Sequence, residues 1–321
     1  MMLRPTVEQT KTAVSIIRQY QQPSLLQAEP ALVPNLDLHV KYEFLNPVRS
    51  FKIRGALTLV HQLAAQGTVK RLVTCSTGNH GSAMAYACQQ YGLALTVGVP
   101  ENCNPAKVKL MQQFGADIEF VGADFDETKA VVEKRPYPPD TLYTVDGSSP
   151  EIVAGTSTIS WELLQQLPDV DVFIVPVGNG ALIGGIGTYL KAHKPAAKLV
   201  GVQAEGAPCM ALSFAAGKAI DTAECNTFAG GMAVRVSIPE AVTLMCDVVD
   251  EVVLVSDEEL KAAMGLYYQH TDYLPEGAGA GSLAAARKLG SALAGQTVCL
   301  LATGGNVEQD IWQTVQAGLA A

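Results

Sequence analysis

Short apolar runs alternate with amphipathic stretches through most of this chain, and that alternation limits the folds open to it. Residues 72–75 read as a strand, and the stretch after it carries Met84, Ala87 and Tyr91 at helical spacing. Residues 93–99 form a second strand, closed by Pro100. Asn104 and Pro105 then supply an N-cap and a first-turn proline for a helix that ends at Phe114-Gly115, and residues 118–121 are a third strand. The rhythm resumes beyond Pro150. Residues 172–177, 199–204, 252–255 and 298–302 read as buried strands, and Ser256-Asp257-Glu258-Glu259 is a capping box. Strands separated by helices are joined by crossovers rather than hairpins. The expected class is therefore α/β, with mainly parallel sheets covered by helices.

The proline-rich stretch at 133–143 interrupts this pattern and reads as a crossing between two lobes, in a chain that passes between them twice. Composition agrees with a layered protein. Of 321 residues, 48% are hydrophobic and only 17% charged, which supports a large core. The 29 glycines and 6% aromatics suit close helix–sheet contacts. The formal net charge is -9 and no basic block occurs, which argues against nucleic acid as a partner. An anionic ligand remains open, because backbone N–H groups bind anions without net positive charge.

Cysteine usage and the N-terminus bear on location. The seven cysteines are odd in number and include no C-x-x-C pair. They read as reduced residues of a cytoplasmic protein. The stretch from Arg4 to Lys11 is polar, unlike a secretory signal. No apolar run approaches the ~20 residues that span a bilayer, so no membrane association is expected.

Four glycine-marked segments carry the chemistry. Lys52 lies in Ser50-Phe51-Lys52-Ile53-Arg54-Gly55-Ala56, among small and apolar neighbours. A lysine amine held partly desolvated can form a Schiff base with an aldehyde, whereas an ordinary helix-start lysine does no chemistry. Val177-Gly178-Asn179-Gly180-Ala181-Leu182 joins a strand to a helix. Ile183 breaks the dinucleotide fingerprint, and no Gly-Lys-Ser/Thr follows to make a P-loop. A cradle for a single phosphate and a turn kept for packing both remain. Cys75-Ser76-Thr77-Gly78-Asn79-His80-Gly81 gathers hydroxyls, an amide and helix N-terminal N–H groups. That set suits a carboxylate, or simple helix capping by Ser76 or Thr77. Ala302-Thr303-Gly304-Gly305-Asn306 follows the last strand and presents the Thr303 hydroxyl at the end of the sheet.

Together and in this order, the four segments resemble those of the fold-type II pyridoxal-phosphate enzymes, in the branch of threonine/serine dehydratases and serine racemases. The lysine segment is similar to that family's S-F/Y-K-x-R-G-A, and Gly78-Asn79-His80 to its dehydratase and racemase loop. The resemblance implies a two-lobed, tryptophan synthase β-like architecture. Residues 1–64 and 147–321 would form the larger, cofactor-binding lobe and residues 65–146 the smaller one. It implies pyridoxal 5'-phosphate as cofactor, a small amino acid as substrate and a homodimer as the assembly.

The resemblance also implies roles. Lys52, flanked by Phe51, would hold the cofactor and act as base at the substrate Cα. Gly178, Asn179, Gly180, Ala181 and Leu182 would bind its phosphate through N–H groups, Asn79 would meet its phenolic oxygen, and Thr303 its ring nitrogen. Ser76, Thr77, Gly78, Asn79 and His80 would surround the substrate carboxylate, and Glu276 would lie near the cofactor. Glu205 matches a metal-binding glutamate of some relatives, but the later carboxylate of that site falls at Ala211, so no metal is expected. The implied reaction is β-elimination from a β-hydroxy amino acid such as L-threonine or L-serine, giving a 2-oxo acid and ammonia. An amino-acid racemase, with Thr77 as acid on the face opposite Lys52, is the alternative. A pyridoxal-phosphate protein without turnover is another.

Overall fold

The computed structural model describes residues 4–320. Helix α1 (Val7–Ile17) leads to strands β1 (Leu25–Ala28) and β2 (Asp37–Tyr42), then to α2 (Lys52–Gln66). A strand–helix series follows: β3 (Arg71–Cys75), α3 (Asn79–Tyr91), β4 (Ala94–Val99), α4 (Pro105–Gln113), β5 (Asp117–Phe120), α5 (Phe125–Glu133) and β6 (Thr141–Tyr143). The second series is α6 (Pro150–Gln166), β7 (Val172–Pro176), α7 (Ala181–His193), β8 (Lys198–Ala204), α8 (Cys209–Ala216), α9 (Pro239–Val248) and β9 (Glu251–Val255). It ends with α10 (Asp257–His270), α11 (Gly277–Leu289), β10 (Thr297–Ala302) and α12 (Gln309–Ala320).

The strands form two sheets, of order β1-β2-β10-β7-β8-β9 and β5-β4-β3-β6. The smaller sheet is wholly parallel. In the larger one only the edge strand β1 runs antiparallel to its neighbour. The chain is thus α/β with mainly parallel sheets, as the strand–helix rhythm requires. The seven strands expected from apolar runs are present within a residue or two.

Three strands carry no such signal. Strand β2 has the polar residues His39 and Lys41 in its sequence, β1 is largely exposed, and β6 is three residues long. Because β6 pairs with β3, the 133–143 stretch still belongs to the smaller sheet, and the chain leaves that sheet only after Tyr143. The crossing therefore lies later than the prolines suggest.

Alternation along the central strands builds two cores. Val172 and Ile174 of β7 pack with Leu283 and Met264 on one face, while Phe173 and Val175 pack with Ile186 and Leu244 on the other. Strand β10 divides likewise, with Leu300 in the first cluster and Leu301 in the second. Burial on both faces explains why these strands read as continuous apolar runs. A third core joins α2, α3 and the smaller sheet through Ile53, Leu57, Met84, Leu72 and Val97.

Helix α2 is set against α6 at a glycine contact. A Cβ placed on Gly155 would lie 2.6 Å from the Gly55 Cα, so the two backbones meet where neither can carry a side chain. That close crossing fixes the helix whose first residue is Lys52. All seven cysteines are unpaired, five of them buried and Cys225 and Cys246 half-buried. No helix among the described residues is long and apolar enough to cross a membrane.

Candidate active site

Parallel strands deliver their loops to one edge of a sheet, and three of the four marked segments arrive that way. The 177–180 loop follows β7 and the 303–306 loop follows β10, and these strands are neighbours in the larger sheet. The 76–78 loop follows β3 in the smaller sheet. Ligands of open α/β sheets bind at such carboxyl ends.

The fourth segment is stitched to the loop after β10. Phe51 N–H donates to the Thr303 carbonyl at 2.9 Å, and Ser50 forms a bridge with Gly304. The Arg49 guanidinium donates to the Gly305 carbonyl at 3.1 and 2.8 Å, and Gly305 N–H returns a bond to the Arg49 carbonyl. Arg49 is thereby engaged in holding the loop. Lys52 opens α2 from this anchor, and its ammonium pairs with Asp146. The amine faces a cleft that Phe51, His80, Asp146, Asn179 and Leu182 also line.

One wall of the cleft is the start of α7. Its N-cap, Gly180, has a φ of +90° and offers no side-chain cap to the first turn. A Cβ on Gly178 would lie 2.5 Å from the Gly231 carbonyl oxygen, so the backbone must be bare there as well. Asn179 accepts from Ala181 N–H at 3.2 Å and donates to the Asp146 carbonyl at 3.1 Å, which fixes the loop against the segment after β6. A glycine loop feeding a helix N-terminus supplies N–H groups and a positive dipole end, and it fits a phosphate. An amine beside an anion cradle fits a cofactor that carries both an aldehyde and a phosphate.

The start of α3 forms the opposite side. The Ser76 hydroxyl accepts from Gly78 and Gly81 N–H at 3.2 and 2.9 Å, so it caps its own loop. Thr77 is the half-buried hydroxyl that remains. Asn79 donates to Glu276 Oε1 at 2.7 Å and accepts from Asn306 at 2.7 Å. Burial pushes the Glu276 carboxyl up to about 7, against the bond from Asn79. His80 is buried, and desolvation holds its imidazole below the ordinary range against the pull of Asp146. Burial alone would raise Asp146, but Lys52 and His80 outweigh it and hold the carboxyl below its ordinary value.

Of the residues expected from sequence, Phe51, Lys52, His80, Asn179, Ala181 and Leu182 line one cleft. Asn79 and Glu276 are bonded to each other, and Thr303 is joined through its carbonyl to Phe51. Ser76, Thr77 and Gly78 stay in the α3 loop outside that lining. Glu205 pairs with the Lys288 ammonium at 3.2 Å. Asp146 is the residue that sequence reasoning missed. Its only local sign is the Asp146-Gly147 turn before α6, and turns of that kind are common.

Comparison with known proteins identifies the family of the chain as a whole. The chain is 35% identical over 288 residues to the L-threonine ammonia-lyase of Geobacter sulfurreducens (strain ATCC 51573 / DSM 12127 / PCA), covering 89% of this chain and 71% of that protein. It is 32% identical over 276 residues to L-threonine dehydratase catabolic TdcB of Escherichia coli (strain K12), covering 85% of this chain and 83% of that protein. The structure of maize serine racemase superposes with a TM-score of 0.90 at 28% identity, covering 99% of this chain and 98% of that one. The family model described as pyridoxal-phosphate dependent enzyme matches residues 17–304, and with a lysine amine, a glycine-rich helix start and an Asn79–Glu276 pair at one edge of the sheets, the chain belongs to that family and takes pyridoxal 5'-phosphate as its cofactor.

Proposed function

We propose that the protein is an ammonia-lyase that dehydrates and deaminates a β-hydroxy amino acid, L-threonine first and L-serine second, to a 2-oxo acid and ammonia. The observation that carries this reading is the Lys52 amine facing one cleft together with the α7 phosphate loop and His80 of the α3 loop. The likeness to L-threonine ammonia-lyase supports the choice of substrate.

When bound, the cofactor supplies an electron sink that makes the substrate Cα–H bond acidic. The protein's own groups do the rest. N–H groups from Gly178 to Leu182, aided by the α7 dipole, would hold the phosphate. Asn79 would meet the phenolic oxygen, held in place by Glu276 and Asn306. Thr303 would present a hydroxyl to the ring nitrogen. The Asn79 and His80 N–H groups at the start of α3, which Ser76 does not engage, would with Thr77 orient the substrate carboxylate. Lys52 would take the Cα proton, and closure of the cleft by His80 and Phe51 would exclude water.

We read residues 1–64 with 147–321 as one lobe and 65–146 as the other. We also read the protein as a cytoplasmic homodimer that binds neither nucleic acid nor membrane. Five buried, unpaired cysteines support a reducing compartment. A racemase is the second reading, favoured by the likeness to serine racemase and by the free position of Thr77. The deciding experiment measures 2-oxo acid and ammonia from L-threonine, L-serine, 3-hydroxyaspartate and phenylserine, with Lys52→Ala as control. Release of 2-oxo acid by the wild type and not by the variant is expected, and equal rates from both would overturn the reading.

A further inference from the structure

Asp146 stands between the catalytic lysine and a buried histidine. It follows β6 and precedes Gly147, whose φ of +77° turns the chain toward α6. Its carbonyl is held by the Asn179 amide. The carboxylate has two neighbours: Oδ2 pairs with the Lys52 ammonium, and Oδ1 lies 3.4 Å from His80 Nδ1. Lys52 comes from α2 and His80 from α3, and these are the charged or titratable groups that act on Asp146. His80 in turn is acted on by Asp146 and Lys52.

The tautomer of His80 follows from its other nitrogen. The Thr74 hydroxyl donates its single proton to the Thr144 carbonyl at 2.9 Å. Toward His80 it can therefore only accept, so Nε2, 3.2 Å away, carries a proton. In a neutral ring Nδ1 then bears a lone pair that faces a carboxylate oxygen. Two acceptors in that position repel, and one proton between them makes the contact attractive. The pair is a place for one proton, in direct contact with Lys52. Beside Lys52 and His80 the Asp146 carboxyl is held below its ordinary value, so in this arrangement it readily gives that proton up.

We propose that Asp146, backed by His80, donates the proton that the departing β-substituent needs. The proposal rests on the elimination reading above. The step balances within the protein and substrate. Lys52 Nζ takes the Cα proton, and the Cα–H electron pair becomes the second bond between Cα and Cβ. The Cβ–O bond breaks with its pair on oxygen, the proton shared by Asp146 and His80 passes to that oxygen, and water leaves. Lys52 then returns its proton to Asp146, to which it is already paired, and both groups are reset. The geometry permits this because Cβ is one bond from the Cα that Lys52 must reach, and Asp146 touches Lys52.

The test compares leaving groups. Hydroxide must be protonated to leave, whereas chloride need not be. In the cofactor-loaded protein, Asp146→Asn should lower the ratio of L-threonine to β-chloroalanine elimination by on the order of 100-fold, in the range of general-acid catalysis. Asp146→Glu should restore part of that ratio. An unchanged ratio in Asp146→Asn, whether both rates fall or neither does, overturns the relay and leaves Asp146 only to position Lys52. Nuclear magnetic resonance of ¹⁵N-histidine protein, assigned with His80→Gln, gives a readout independent of turnover. His80 Nδ1 should take up its proton at higher pH in the wild type than in Asp146→Asn, and identical titrations overturn the shared proton. A wild type that releases no 2-oxo acid from any β-hydroxy amino acid overturns the elimination reading itself. Normal wild-type turnover with an unchanged ratio in the variant overturns the relay alone.

Discussion

The Asn79 amide donates to Glu276 Oε1 at 2.7 Å, and this bond joins the first residue of α3 to the N-cap of α11. A Cβ on Gly304 would collide with the same carboxyl group, so the loop after β10 is closed around it. The site is thus held together by a contact between the two sheets' helices, and its acid partner is half-buried and partly shielded by them.

That shielding predicts a pH dependence of stability. The Glu276 carboxyl titrates near 7 in the fold and at 4.5 ordinarily. Between those values the folded state holds the extra proton, so stability is full below 4.5 and falls as pH rises through 7. Glu276→Gln lacks this loss. In cofactor-free protein, its unfolding free energy relative to wild type should rise by up to about 3 kcal/mol from pH 4.5 to pH 8. Urea titrations at several pH values measure it, and a difference that does not vary with pH would refute the assignment.

Arg54, two residues beyond Lys52, predicts a second effect. It is fully buried and donates to Glu43 at 2.6 and 2.9 Å and to both oxygens of Glu162 at 2.8 Å. Lys41 completes the group at 3.1 Å from Glu162. Removing one partner strands the others, so Arg54→Met should cost about 3–5 kcal/mol by chemical denaturation. Arg54→Lys keeps the charge but loses the forked geometry and should cost less. Burial alone would raise Glu162, yet Arg54 and Lys41 outweigh it and hold the carboxyl at about 2. Its contribution is present above pH 4.5 and lost as pH falls toward 2, which adds to acid unfolding. Equal stability of wild type and Arg54→Met would show that the network carries no net weight.

Gly180→Asp should weaken cofactor binding by on the order of 100-fold, as read by dialysis and absorbance. The variant places a side chain where φ is +90° and where a Cβ lies 3.0 Å from Met210 Cε. It also sets a carboxylate beside the phosphate, a repulsion of a few kcal/mol at close range. Gly180→Ala separates the two causes, since it keeps the backbone cost and omits the charge. Unaltered affinity in the aspartate variant would mean that this helix start holds something other than phosphate.

The sequence showed the parts of this molecule that are local. Strands β7 and β10 were readable because burial on both faces leaves an unbroken apolar run. The α10 capping box is formed by residues within one turn, and it is present as expected. Strand β2 was not readable, because the side chains that satisfy its buried Lys41, Glu162 and Gln166, lie more than a hundred residues away. Asp146 was hidden for the same reason. Its significance comes from Lys52 and His80, and neither is near it in the chain. Glycine-marked loops announce themselves because backbone geometry restricts which residues fit. A lone carboxylate at a turn carries no such mark.

On the proposed reading, Thr77 would decide between elimination and racemisation. Inversion at Cα needs a proton donor on the face opposite Lys52, and the α3 loop offers two hydroxyls. Ser76 is buried and committed to the N–H groups of Gly78 and Gly81, which leaves Thr77. Threonine is β-branched, so its hydroxyl has fewer positions than a serine would give it, and its methyl group narrows the space beside it. Elimination should therefore exceed racemisation in the wild type. Thr77→Ala should abolish whatever D-serine forms while elimination from L-serine falls no more than about tenfold, since Lys52 still removes the proton. Chiral chromatography of the serine pool in D₂O, run beside a pyruvate assay, reads both outcomes. D-serine forming faster than pyruvate in the wild type would make the protein a racemase with a side activity in elimination.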